Sequence, residues 1–228
     1  MDPDARWLAD RLGIELSGPG LLVRALTHRS HGGPNNERLE YLGDAVLSFV
    51  VAEMLFRRFP EASEGELSRF RASLVSGEAL ARLAAELDLG EWLRLGEGEL
   101  KSGGQRRATI LADALEAIFG AIFLDQGLGA AQRVAERLFD RSLAELPSAA
   151  ELKDPKTRLQ EWLQGRGHAL PTYSVLEVSG EPHDQRFRVR CEVPALALTA
   201  VADGSSRRRA EQEAAQRILE DPALKSAG

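Results

Sequence analysis

The chain has 228 residues, of which 43% are hydrophobic and 28% are charged, and its formal net charge is −6. This length allows one large domain or two modest ones with a buried core, and this composition argues against a disordered chain and a membrane protein. The acidic N-terminus MDPDARWLAD lacks a signal segment, and a single cysteine, Cys191, excludes an intramolecular disulfide and a cysteine-based metal site, so we expect a cytoplasmic protein.

The first domain, expected at 4–146, is predicted to consist of helices joined by short loops. Pro60 marks the end of one helix because proline cannot continue it, and Ser63 and Ser76 are predicted N-caps. Periodic apolar residues and glycine breaks predict helices at about 37–59, 64–74, 77–87, 108–125 and 130–145, with a glycine-rich loop at 95–107.

The second domain, expected at 154–222, follows a predicted linker at 147–153 and has a different pattern. Its predicted elements are a helix at 157–164, strands at 173–178, 186–193 and 196–202, and a last helix from Ser205 or Ser206 to about Leu219. The order helix, three strands, helix predicts an α+β domain with an antiparallel sheet and both helices on one face.

The two domains differ in charge. Residues 154–228 contain 11 basic and 11 acidic residues, which leaves 18 basic and 24 acidic residues for 1–153. The first domain therefore carries the whole excess of acid, and the second is neutral with local basic clusters.

Three acidic residues share one face of the helix predicted at 37–59. Glu37, Glu40 and Asp44 are spaced by three and four residues. The helix dipole favours acids in the first turn but not at Asp44, which we expect to be at least partly buried among its apolar neighbours. A merely solvated acidic face is the alternative.

A second acidic pair, Asp113 and Glu116, lies three residues apart on an otherwise apolar helix. Buried carboxylates need cations, protons or hydrogen bonds to offset their cost. If the two helices meet, these acids join Glu40 and Asp44 in an all-oxygen cluster, which favours Mg²⁺ or Mn²⁺ over zinc. Such sites are typical of phosphoryl transfer, but spacing alone leaves open whether the helices meet.

Several blocks resemble one family. ERLEYLGDAVL and LADALEA are similar to the signature segment and the second acidic motif of the ribonuclease III family. THRS, EGELSRFRASLV and LGEGELKSGG are similar to further blocks of that family, in the same order. DPKTRLQEWLQ and GSSRRRAEQ resemble the double-stranded-RNA-binding domain. The resemblance, to the minimal bacterial form, implies an all-α endonuclease domain followed by a small α-β-β-β-α RNA-binding domain.

The resemblance also implies a chemistry. It implies a Mg²⁺-dependent endoribonuclease, with Mn²⁺ as a substitute, that cuts double-stranded RNA, including ribosomal RNA precursors, to 5′-phosphate and 3′-hydroxyl ends with short 3′ overhangs. The implied metal ligands are Glu40, Asp44, Asp113 and Glu116. Asp44 and Glu116 are the implied catalytic residues, and Glu37 and Glu64 are accessory acids.

The family resemblance further implies a homodimer. Tyr41 would then pack into a socket on the partner chain, and the two-fold axis would place one metal site on each strand of a duplex. The alternative is that Tyr41 is a core aromatic of its own subunit.

In the second domain the resemblance implies recognition of duplex RNA by shape. The implied contacts are Thr157, Gln160, Glu161 and Gln164 on the first helix, His183 in the loop between the first two strands, and Ser206, Arg207, Arg208 and Arg209 at the start of the last helix. A run of arginines is usually only a solvated face, but a helix N-terminus is unfavourable for cations unless anions bind there.

Two other functions compete with the nuclease. One is a non-catalytic dimer that binds duplex RNA and presents or protects it. The other is a metal-dependent phosphohydrolase for small substrates, which leaves the second domain without a role.

Overall fold

The first unit of the chain, Met1–Ala149, is helical. The computed structural model describes residues 3–148, 152–181 and 184–226. The helices of the first unit are α1 (Pro3–Leu12), α2 (Pro19–Ala25), α3 (Glu37–Arg58), α4 (Glu64–Leu74), α5 (Gly77–Glu86), α6 (Glu97–Lys101), α7 (Ala108–Gln126) and α8 (Leu128–Ala144). Among the described residues, no helix is both long enough and apolar enough to cross a membrane.

Helix α7 is the centre of this unit. It is apolar on nearly all sides, and a helix of this kind has to be enclosed by others. Helices α2, α3, α5 and α8 pack around it. Its fully buried side chains include Ala114, Leu115, Ala117, Ile118, Phe119, Ala121 and Ile122.

Two glycines allow α3 and α7 to touch at their backbones. A Cβ on Gly43 would lie 1.7 Å from the carbonyl oxygen of Glu116, and one on Gly120 would lie 2.3 Å from that of Leu39. Only glycine allows so close an approach. The two helices therefore do meet, and they cross where α3 carries Glu40 and α7 carries Glu116.

The predicted helix starts are confirmed by their caps. The Ser63 side chain accepts a hydrogen bond from the backbone N–H of Glu66 in a capping box, and Ser76 caps α5 through the N–H of Ala79. The prediction of a glycine-rich loop at 95–107 is wrong in part, because this segment contains the short helix α6 and a 3₁₀ turn at Gly104–Arg106.

The second unit, Ala150–Gly228, is an α+β fold, as predicted. Its elements are α9 (Pro155–Gln164), β1 (Thr172–Ser179), β2 (Arg186–Val193), β3 (Leu198–Gly204), α10 (Arg207–Glu220) and α11 (Pro222–Ser226). The strands form an antiparallel sheet in the order β1-β2-β3.

One core joins both long helices of this unit to the same face of the sheet. Its buried side chains include Leu159 and Leu163 from α9, Cys191 and Val193 from β2, and Ala214, Ala215 and Ile218 from α10. The alternation along β2 explains this arrangement, since every second residue of a strand faces the helices. Cys191 therefore belongs to the packed core of this unit.

Candidate metal centre and nucleic-acid interface

Three carboxylates converge where α3 and α7 cross. Glu40, Asp113 and Glu116 each offer an oxygen, and these oxygens all lie within 4.8 Å of one another. Each of the three residues is half-buried. The glycine contact between the helices produces this convergence, because it brings the first turns of α3 against the acidic turn of α7.

The electrostatics of the cluster are most evident at Glu116. Burial, reinforced by the charges of Asp44, Asp113 and Glu40, raises the pKa of Glu116 to about 7 from its usual 4.5. A carboxyl that retains its proton near neutral pH lacks enough positive charge around it. A bound cation would supply that charge.

The other two acids of the cluster behave similarly. Burial raises the pKa of Glu40, and the charge of Asp113 adds to the effect. Burial also raises the pKa of Asp113, against the opposing charges of His28 and Arg29. These two side chains moderate the mutual repulsion of the acids without cancelling it.

The expectation that Asp44 is partly buried is wrong. Asp44 is exposed and lies outside the group of three acids within 4.8 Å. Successive residues of a helix point about 100° apart, so Gly43 can face the crossing and Val46 the core while Asp44 points to solvent. Its charge still raises the pKa of Glu116, so it borders the cluster.

The two accessory acids are placed differently. Glu37 is exposed at the start of α3, accepts a hydrogen bond from Asn35 at 3.2 Å and lies 3.7 Å from Arg29. Its charge contributes to the raised pKa of Glu40. Glu64 is exposed at the start of α4, accepts a hydrogen bond from Ser68 and does not join the three-acid group.

A polar cavity of about 530 Å³ adjoins the cluster. Its lining includes the acids Glu40 and Asp113 and the bases Arg29 and Arg107. Asn36, only 2% exposed, also lines this cavity. The sequence pattern does not reveal Asn36 as a site residue, because an asparagine immediately before a helix normally signals an N-cap.

Tyr41 is 84% exposed on α3, so the alternative that it is a core aromatic of its own chain is wrong. Phe49 and Phe56 on the same helix are 55% and 69% exposed. Large aromatic side chains left in solvent along one helix are typical of a protein-interaction surface.

The predicted RNA-contacting residues of α9 are all exposed, opposite the buried Leu159 and Leu163. They are Thr157, Gln160, Glu161 and Gln164. The Glu161 carboxylate accepts two hydrogen bonds from the Lys153 ammonium, at 2.6 and 2.8 Å. His183, the predicted contact between β1 and β2, lies outside the described residues.

The start of α10 presents three arginines with different surroundings. Ser206 caps the helix by accepting a hydrogen bond from the N–H of Arg209 at 3.2 Å. Arg207 donates to Glu211 at 2.8 Å, and Arg208 lies 3.6 Å from Asp154. Within the described ranges, Arg209 forms no ion pair.

Glu211 is a polar residue that the sequence pattern did not reveal. It is 7% exposed and bonds both Arg207 of its own helix and Lys156 of α9. Burial opposes ionisation, but these two cations outweigh it and lower the pKa of Glu211. The pair of bonds fixes the starts of α9 and α10 relative to each other.

Comparison with known proteins gives consistent results. The family model described as "Ribonuclease-III-like" matches residues 19–142, and "Double-stranded RNA binding motif" matches 155–221. A "Ribonuclease 3" of Methylococcus capsulatus is 59% identical over 212 residues, covering 93% of this chain and 92% of that protein. A "Ribonuclease 3" of Vibrio cholerae is 52% identical, covering 96% and 98%.

A solved structure matches the first unit. It is described as "Structural flexibility in region involved in dimer formation of nuclease domain of Ribonuclase III (rnc) from Campylobacter jejuni". Its sequence identity is 44% and its TM-score 0.59, over 60% of this chain and 97% of that one. A helical nuclease domain joined to a duplex-RNA-binding domain defines the class of protein. The chain belongs to the ribonuclease III family, the endoribonucleases that cut double-stranded RNA.

Proposed function

We propose that this enzyme is Mg²⁺-dependent and leaves 5′-phosphate and 3′-hydroxyl ends with short 3′ overhangs. The observation that carries the proposal is the convergence of Glu40, Asp113 and Glu116 within 4.8 Å. Burial, together with repulsion from the neighbouring acids, raises the pKa of Glu116 to about 7, which is a cost that a cation would remove.

The donor set suits a hard ion. It contains carboxylate oxygens without histidine nitrogen or cysteine sulfur, which favours Mg²⁺, with Mn²⁺ as a substitute, over zinc. The proposed metal ligands are Glu40, Asp44, Asp113 and Glu116. When bound, such ions supply an activated water and offset the charge that develops on the phosphate.

The residues of the chain have distinct proposed roles. Glu116 holds a proton up to about pH 7 in the metal-free protein and releases it when a cation enters. Asp44 is exposed, and its charge acts on Glu116. We therefore assign chemistry to Asp44 and Glu116, and an accessory role in the cleft to Glu37 and Glu64.

The second unit, for which we propose the bounds 154–222 after a linker at 147–153, binds the duplex. The polar face of α9 suits the 2′-hydroxyls of the wide minor groove, and the start of α10 suits phosphates. The proposed contacts are Thr157, Gln160, Glu161, Gln164, His183, Ser206, Arg207, Arg208 and Arg209. Arg209, which lacks an ion pair in the described part of the chain, is the arginine most available to a phosphate.

We also propose a homodimer that uses the exposed aromatic face of α3 around Tyr41. The nuclease domain from Campylobacter jejuni is described as having a region involved in dimer formation. A two-fold axis would present one acidic cluster to each strand, which accounts for a staggered cut. Structured precursors such as ribosomal RNA are the proposed substrates, and the cytoplasm is the proposed location.

The test is incubation of the purified chain with a long RNA duplex, with and without Mg²⁺, followed by analysis of the product ends. We expect cleavage only with Mg²⁺, with 5′-phosphate and 3′-hydroxyl termini. Binding of the duplex without cleavage by folded protein would instead support the non-catalytic RNA-binding function.

A further inference from the structure

Asn36 is a buried residue at the edge of the acidic cluster. It immediately precedes α3, is 2% exposed and lines the same cavity as Glu40 and Asp113. Its backbone N–H donates to the carbonyl of Thr27 at 2.9 Å, and its carbonyl accepts from the N–H groups of Leu39 and Glu40. The backbone therefore holds Asn36 in place independently of its side chain.

The Asn36 side chain does not perform the usual task of its position. An asparagine before a helix normally accepts a hydrogen bond from an N–H of the first turn. Asn36 has helical backbone angles, φ −82° and ψ −15°, and makes no such bond. Its neighbour Asn35 accepts from the N–H of Glu37 instead, at 3.1 Å. Within the described residues, the Asn36 carboxamide has no hydrogen-bond partner.

Among the described residues, the fully enclosed side-chain atoms without a partner belong to Gln105 and Tyr173, so the Asn36 carboxamide remains open to the water of the cavity. The cavity beside Asn36 can hold a water molecule, which would give the carboxamide a hydrogen-bond partner. At 2% exposure the side chain lies too deep for direct contact with an RNA duplex, whereas a water molecule can reach it. The carboxamide oxygen can accept a hydrogen bond from that water.

We propose that Asn36 is a positioning residue of the metal site, whose side-chain oxygen accepts a hydrogen bond from a water of the hydrated ion bound at Glu40 and Asp113. This inference rests on the proposed Mg²⁺-dependent function. Mg²⁺ usually keeps several of its waters in protein sites, so groups that orient those waters contribute to affinity. Asn36 acts on the reaction through that water and does not touch the RNA.

The experiment is a titration of the full-length protein with Mn²⁺ in the absence of RNA, followed by electron paramagnetic resonance. We expect Asn36→Ala to weaken Mn²⁺ binding by about 10- to 100-fold, the usual effect of removing a group that orients a metal's own ligands. Asn35→Ala is the matched control. It removes a neighbouring side chain that bonds at the start of α3, and we expect unchanged affinity.

Two further measurements separate positioning from a structural role. Thermal unfolding of the metal-free protein is expected to be nearly the same for Asn36→Ala and the wild type, because the carboxamide has no bond to lose. Asn36→Asp keeps an oxygen acceptor at the same place and is expected to restore Mn²⁺ binding. A purely structural asparagine would lower the unfolding temperature on truncation, without a selective loss of metal affinity.

The outcomes distinguish this inference from the proposed function. If the wild type binds Mn²⁺, Glu116→Gln loses it and Asn36→Ala binds normally, the role of Asn36 is overturned while the metal site stands. Equal loss of affinity in Asn35→Ala and Asn36→Ala, with equal loss of stability, also overturns it. If the wild type binds no Mn²⁺, the proposed metal dependence itself fails.

Discussion

Replacement of Glu116 by glutamine should stabilise the metal-free protein at pH 8. A pKa of about 7 in the fold, against the usual 4.5, means that the folded state holds this proton more tightly than the unfolded state. The stability that the proton contributes is present below pH 4.5 and is lost as the pH rises through about 7. Glutamine resembles the protonated carboxyl and avoids this loss.

The magnitude follows from the same two values. The pKa difference between 4.5 and about 7 corresponds to at most about 3.4 kcal/mol. Because Glu116 is only half-buried, solvent screens part of this free energy. We expect Glu116→Gln to raise the free energy of unfolding by about 1–2 kcal/mol at pH 8. For a chain of this size each kcal/mol raises the unfolding temperature by about 2–4 °C.

The assay is thermal unfolding in EDTA at pH 5 and pH 8. Glu116→Gln should unfold at a higher temperature than the wild type at pH 8, with a much smaller difference at pH 5. Glu136 is an exposed acid on α8, and Glu136→Gln is the matched control. It should leave the unfolding temperature unchanged at both pH values. The electrostatic reasoning would be refuted if Glu116→Gln were less stable than the wild type at pH 8. It would also be refuted if the substitution changed the unfolding temperature equally at pH 5 and pH 8.

With Mg²⁺ added, the wild type should unfold at a higher temperature than Glu116→Gln, the reverse of the order expected in EDTA at pH 8. The wild type gains stability in proportion to the logarithm of ion concentration above its dissociation constant, because the ion binds only the folded state. Glu116→Gln lacks one of the proposed ligands and should gain little.

Three further predictions concern the crossing, the dimer and the RNA surface. Gly120→Ala should push α3 from α7 and lower cleavage at least about tenfold while circular dichroism remains helical; near-normal cleavage would show that the spacing is not critical. Tyr41→Ala should shift the protein towards monomer in sedimentation analysis, and an unchanged dimer would place the interface elsewhere. Alanine at Arg207, Arg208 and Arg209 together should weaken duplex binding and reduce its salt dependence, by about one unit of slope for each phosphate that is no longer neutralised; an unchanged slope would exclude these residues as phosphate ligands.

The parts of the fold that could be predicted are those that depend on a few neighbouring residues. Pro60 ends α3, Ser63 and Ser76 cap the next two helices, and the alternation of polar and apolar residues defines β2. Helices α1, α2, α6 and α11 were not predicted individually. The helices α6 and α11 have only about one turn, and such helices depend on packing more than on their own sequence.

The candidate site was only partly predictable for a different reason. Spacing placed Glu40 on one helix face and Asp113 and Glu116 on another, but their convergence depends on the glycine contact between α3 and α7. The exposure of Asp44 likewise depends on how α3 is rotated against its neighbour. Asn36 was overlooked because its side chain departs from the capping role that its position suggests.

The most direct test of the central claim is an anomalous-scattering map from crystals of this protein grown with duplex RNA and Mn²⁺. We predict an ion peak at the crossing of α3 and α7, within coordination distance of oxygens of Glu40, Asp113 and Glu116. A well-ordered cluster with no peak, or a peak bound only elsewhere on the chain, would contradict the claim that these carboxylates form the metal centre.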